Sequence, residues 1–259
     1  MLDITPVPAF SDNYIWLIRD ASGRKAAVVD PGDAQPVLQA LAKAGLTLTT
    51  ILITHHHADH VGGVSGLLKA YPDTVVYGPA GERIRDLSFK LREGDHVTLP
   101  EFDAEFDVLD VPGHTAGHIA YVGEGILFCG DTLFAGGCGR LFEGTPQQMQ
   151  ASLSTLRQLP DDTLVYCAHE YTLANLGFAK WVEPDNADLL AREQADMAQR
   201  ERGRPTVPSA LGLEKLTNPF LRYDVPSVVS AAEQVSGQTL SNPAEVFGTV
   251  RYWKDSAYD

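Results

Sequence analysis

The chain has 259 residues, room for one large domain or a medium domain with a smaller partner. Apolar residues make up 44% and charged residues 21%, ordinary globular usage that excludes a disordered or low-complexity chain. The 34 acidic and 20 basic side chains give a net charge of −14, which excludes sequence-independent nucleic-acid binding and attraction to anionic lipid.

The opening MLDITPVPAF has neither the basic nor the apolar region of a signal peptide. No apolar run approaches the ~20 residues that span a bilayer. A cytoplasmic, monomeric protein without membrane association is expected. Apolar runs at 26–29, 51–53, 75–77, 106–111, 126–129 and 164–167 read as buried strands broken by Gly and Pro turns. Helix signals lie between some of them. Asp33 caps a segment with Pro36 in its first turn, Val37 and Leu41 four apart, and Gly45 as a stop. Thr145-Pro146-Gln147-Gln148 is a capping box followed by an apolar stripe of Met149, Leu153 and Leu156, with Pro160 beyond. After about residue 170 the strand-like runs vanish. Residues 186–202 read as a helix, and Asn242-Pro243-Ala244-Glu245 opens a last one with Val246, Val250 and Trp253 facing the core. The pattern predicts an α/β layered domain over residues 1–169 and a smaller helical domain over 170–259.

Of the 8 histidines, His55, His56, His57 and His60 fall within six residues. The strand 51–53 leads into His55, His57, Asp59 and His60 in an HxHxDH spacing, a donor set suited to a borderline divalent ion. Three more strand ends deliver His114, Asp131 and His169. Ligands in open sheets gather beyond the carboxyl ends of strands, and this supply suffices for two metals. His56 lies between ligands and is expected to point away. His118 is expected to orient a ligand, and His96 to sit in a solvated turn. Asp30 is assigned either a turn role or support of the site. Cys129, Cys138 and Cys167 contain no CxxC pair and are expected to be buried thiols.

THHHADHVGG, PGHTAGH at 112–118, GDTLF at 130–134 and AHEYT at 168–172 resemble the metallo-β-lactamase superfamily, and within it the hydroxyacylglutathione hydrolase (glyoxalase II) family. The superfamily motifs run to residue 169, and the narrower likeness continues to residue 259. The resemblance implies an αββα sandwich with a helical C-terminal domain. It places His55, His57 and His114 on one metal, Asp59, His60 and His169 on the other, and Asp131 on both. It implies an Arg-x-x-Lys, here Arg251 and Lys254, for a glutathione carboxylate, with Tyr171 and Arg140 as further substrate contacts. Phe142 stands where better-known animal members have Tyr.

Two divalent ions, two aspartates and a bridging hydroxide leave a charge of about +1, suited to an oxyanion or a leaving thiolate. A Ser or Cys nucleophile is not required, and GxSxG is absent. The expected activity is hydrolysis of S-D-lactoylglutathione to glutathione and D-lactate, the second step of methylglyoxal detoxification. The metal-bridging hydroxide is the expected nucleophile, with Asp59 and Asp131 as the catalytic residues. The expected metal is zinc, and the same ligands accept iron or manganese. A one-iron persulfide dioxygenase or a lactonase fits the second ligand set and the Arg251/Lys254 pair less well. A non-catalytic metal or redox module would bind metal without thioester turnover.

Overall fold

A computed structural model describes residues 2–258 and forms two compact units. The first ends at Asp110 and takes in Thr115–Gly130. The second comprises Val111–His114 and the chain from Asp131 onward.

The first unit opens with a hairpin of β1 (Asp3–Ala9) and β2 (Asn13–Arg19) that the sequence reading did not assign. Pro6 and Pro8 hide β1, since proline breaks a strand pattern and is tolerated here only because β1 is an edge. β3 (Lys25–Val29), α1 (Ala34–Ala44), β4 (Thr47–Leu52), α2 (Ala58–Val61), α3 (Val64–Ala70), β5 (Val75–Pro79) and β6 (Phe89–Leu91) follow. The sheet order is β1-β2-β3-β4-β5-β6, parallel from β3 onward. Asp33 caps α1 by accepting from the Gln35 amide at 2.9 Å, and Gly45 closes it at φ +67, the start and stop expected. Val37 and Leu41 of α1 and Leu67 of α3 pack with Ile15, Val28 and Ile51 on one sheet face. β2 is buried from Asn13 to Ile18, so both faces of the sheet are covered. Each fully buried Leu or Ile contributes roughly 1.5–3 kcal/mol.

A second set of strands follows in the same unit: β7 (His96–Leu99), β8 (Ala104–Asp110), β9 (Ile119–Gly123) and β10 (Ile126–Gly130). They pair antiparallel in the order β10-β9-β8-β7. Glu124 and Gly125, at φ +54 and +72, make the two-residue turn between β9 and β10. His96 lies in β7, exposed and 2.5 Å from Asp107, rather than in a turn.

The second unit begins its main run with a short hairpin, β11 (Leu133–Phe134) and β12 (Gly137–Cys138). Then come α4 (Pro146–Arg157), β13 (Leu164–Cys167), α5 (Thr172–Val182), α6 (Ala187–Glu201), β14 (Ser209–Ala210), α7 (Leu211–Thr217), α8 (Pro226–Ser236) and α9 (Pro243–Ala257). The capping box of α4 is formed in both directions, with Met149, Leu153 and Leu156 buried. Asn186 and Asn242 cap α6 and α9 through the Leu189 and Glu245 amides. The tail is helical as expected, except that β14 pairs with β13, too short to register as a strand pattern. Among the described residues, no helix is long and apolar enough to cross a membrane.

Candidate metal centre

β3 and β4 are parallel, with Val29 opposite Leu52, so their carboxyl ends emerge side by side. Asp30 turns at φ +51 just beyond β3, and its amide donates to the Leu52 carbonyl at 2.9 Å. Its carboxylate accepts from the Thr54 amide at 2.8 Å and the Thr54 hydroxyl at 2.7 Å, and lies 3.0 Å from His60 Nδ1. Thr54 Oγ1 is 3.1 Å from His55 Nδ1. Because the hydroxyl proton goes to Asp30, Oγ1 accepts from His55 Nδ1–H. Both imidazoles therefore carry their proton on Nδ1 and present Nε2 as the ligand atom. Asp30 orients His60 directly and His55 through Thr54. The ligand atoms of Asp30, His55 and His60 lie within 4.8 Å of one another.

His55 Nε2 stands 3.1 Å from His57 Nδ1, and His60 Nε2 stands 3.5 Å from Asp59 Oδ2. Both pairs fit two ligand atoms converging on one ion. Asn13, buried at the start of β2, donates to Asp59 at 3.0 Å. The tight turn after β4 depends on glycine: a Cβ on Gly63 would lie 2.5 Å from Pro31 O, and one on Gly32 would overlap Asp59 O. His56 meets the His57 ring edge-on at 5.1 Å and sets its Nδ1 3.0 Å from the buried Glu82 carboxylate. His118 is buried, stacks on His55 at 4.5 Å, and bonds the Ile119 carbonyl through Nδ1. It packs on the ring of a candidate ligand.

The second unit carries its own set. His114 Nδ1 donates to the Arg140 carbonyl at 2.9 Å, which leaves Nε2 as the ligand atom. Asp131 Oδ2 is 3.4 Å from His114 Nε2, and its Oδ1 is 3.4 Å from His169 Nε2. One carboxylate thus faces two different imidazoles with its two oxygens. All three residues are buried. Tyr171 stacks on His169 at 4.7 Å with Phe134 edge-on at 5.7 Å, while Phe142 meets the His114 ring edge at 5.2 Å.

Arg251 is 2% exposed and Lys254 6%. The Arg251 guanidinium donates to Asp255 at 2.7 Å and to the Cys138 carbonyl at 3.1 Å, and lies over the Phe220 ring. The pair that the resemblance assigns to a glutathione carboxylate is thus packed into the protein rather than solvated. Arg140 is about half exposed, its Nε 3.8 Å from Asp255. Burial pushes the Cys138 thiol up to about 11, against the pull of Arg251, and the Cys167 thiol up to about 12. Among the described residues, the groups of close donor atoms that could hold an ion are all His and Asp. Sequence reasoning missed Thr54, Asn13 and Glu82, and left Asp30 undecided. Only the Asp30 and Thr54 positions, each just past a strand end, gave a signal.

Residues 9–169 match the family described as the metallo-beta-lactamase superfamily, and residues 170–257 match the hydroxyacylglutathione hydrolase C-terminus. A hydroxyacylglutathione hydrolase of Alkalilimnicola ehrlichii is 59% identical over 257 residues, covering 99% of this chain and 100% of that protein. One from Cupriavidus taiwanensis is 56% identical, covering 99% of each. Among solved structures, ETHE1 from Myxococcus xanthus is 28% identical with a TM-score of 0.64 over 97% of both chains. TTHA1623 in a di-iron-bound form is 29% identical with a TM-score of 0.58, covering 84% of this chain and 100% of that one.

Proposed function

The chain belongs to the hydroxyacylglutathione hydrolase family of the metallo-β-lactamase superfamily and is a thiolester hydrolase acting on hydroxyacylglutathione, and we propose that its two His/Asp sets jointly hold two divalent ions. In this reading His55, His57 and His114 take one ion, Asp59, His60 and His169 take the other, and Asp131 takes both. The observation that carries it is Asp131 itself, whose oxygens each face a different imidazole at 3.4 Å. The donors fit divalent ions: imidazoles turned by Nδ1 hydrogen bonds to offer Nε2, with carboxylates beside them. We assign zinc, with iron or manganese as alternatives that the same donors accept; TTHA1623 was solved in a di-iron-bound form.

Such ions, when bound, supply hydroxide at neutral pH and polarise a carbonyl. The chain's residues do the rest. Asp30 and Thr54 fix the tautomers of His60 and His55, and Asn13 fixes Asp59. Phe134, Tyr171 and Phe142 wall the imidazoles with apolar and aromatic surface. Arg140, Tyr171, Arg251 and Lys254 receive the glutathione portion. A net charge of −14 repels an anionic thioester everywhere else, so this local cluster of cations selects it. We take S-D-lactoylglutathione as the substrate and D-lactate as the product, in methylglyoxal detoxification by a monomer in the cytoplasm. Asp131→Ala tests the shared-ligand assignment. Bound metal and turnover are expected to fall together, and full metal content with a near-parental rate would refute it.

A further inference from the structure

The β11–β12 hairpin is two residues long on each side, too short to fix its own shape. Side chains of three tail helices hold it instead. Asn175 of α5 donates to the Ala135 carbonyl at 3.0 Å. Asn218, at the end of α7, donates to the Phe134 and Gly137 carbonyls at 3.1 and 2.9 Å. Glu214 of α7 accepts from the Gly136 amide at 2.8 Å, and Arg251 of α9 reaches the Cys138 carbonyl. Asn175, Glu214 and Asn218 are all buried. Glu214 is itself anchored by Arg192 at 2.6 Å and Ser209 at 2.5 Å. Gly137 admits this clamp because it lacks a Cβ, which would lie 2.5 Å from the Asn175 amide.

Both ends of the hairpin run into the metal-ligand set. Asp131 precedes β11. After β12, the Gly139 amide donates to the Thr132 carbonyl at 3.3 Å, and the Arg140 carbonyl accepts from His114 Nδ1. A Cβ on Gly139 would overlap the Asp131 carbonyl and lie 3.0 Å from His114 Nδ1, so a small displacement of this strand moves both ligands. We propose that Asn175, Glu214 and Asn218 are positioning residues for Asp131 and His114, so that the helical tail tunes the metal centre through the hairpin as well as binding substrate. The proposal rests on the metal reading above, and its failure is distinguishable from failure of that reading.

The full-length zinc-loaded chain is titrated with a competing chelator, and melting is followed in parallel. Asn175→Ala, Asn218→Ala and Glu214→Gln are expected to weaken at least one ion by about 10- to 100-fold, the usual reach of residues that orient ligands. The glutamine is informative because every Glu214 partner donates, so an amide nitrogen must face another donor. Arg222→Met is the control. Its partners are Glu183 and the Lys215 carbonyl, and it should lower the melting temperature without loosening metal. The proposal is overturned if the clamp variants bind both ions as tightly as the parent. It is equally overturned if Arg222→Met loosens them in proportion to the stability lost. Asn175→Ala, which removes a single hydrogen bond, carries the test if the other two do not fold. A parent that binds no second ion refutes the metal reading instead.

Discussion

Asp30 is the side chain that orients two of the first unit's candidate ligands, His60 directly and His55 through Thr54. It is not a ligand in the assignment above, yet it sets which nitrogen His60 and His55 present. In the proposed function Arg251 and Lys254 both receive the glutathione portion, and Arg251 also bonds Asp255 and the Cys138 carbonyl. If the proposal holds, Lys254→Ala removes a charge-assisted contact to a glutathione carboxylate, costing about 1.5–3 kcal/mol. Its KM for the glutathione thioester should rise about 10- to 150-fold, with little change on a small thioester lacking those carboxylates. Arg251→Ala should also lower the melting temperature, because it leaves Asp255 and the Cys138 carbonyl without their donor. Steady-state kinetics on both substrates and thermal melts check this. Equal losses on the two substrates for Lys254→Ala would refute its assignment.

The turns and caps act as independent local devices. In the turn from β2 to β3, the Asp20 carboxylate accepts from the Ser22 hydroxyl and from the Lys25 and Arg24 amides, the latter two at 2.8 Å. These bonds hold its carboxyl down at about 2. The folded form is the stronger acid, so the stabilisation is full above about pH 4 and fades as pH falls through about 2. Asp20→Asn should melt below the parent at about pH 6, with the gap closing at about pH 2. A gap that stays constant between the two pH values would contradict this. Elements of this kind were legible where their signals are local. The Asp33 cap, the Thr145–Gln148 box and Asn242 each act within a few residues, and all three formed. The β1–β2 hairpin was not legible, because its prolines deny the alternation that only an edge position permits. The candidate ligands could be named from the sequence because strand ends deliver them. Their supports, Asn13 and Glu82, come from distant chain segments with no pattern of their own. The burial of Arg251 beneath Phe220 and Asp255 depends on tertiary packing that helical spacing cannot express.

At the scale of the whole molecule, each compact unit carries its own His/Asp group, and the two-ion proposal needs the donors of both. The first offers His55, His57, Asp59 and His60. The second offers His114, Asp131 and His169, together with the buried helical network that holds the β11–β12 hairpin. An acidic chain that turns over an anionic thioester must concentrate its positive charge where the reaction occurs, and the proposed ions, Arg140 and the α9 cations are candidate sources. The most direct test is to strip the protein of metal, return zinc in measured equivalents, and follow hydrolysis of lactoylglutathione beside a coenzyme A thioester. The expected result is no turnover in the stripped chain, a rate on the glutathione thioester that climbs until the second equivalent is bound, and a much lower rate on the coenzyme A thioester. Turnover that persists without metal, or that saturates at the first equivalent, would contradict the two-ion account.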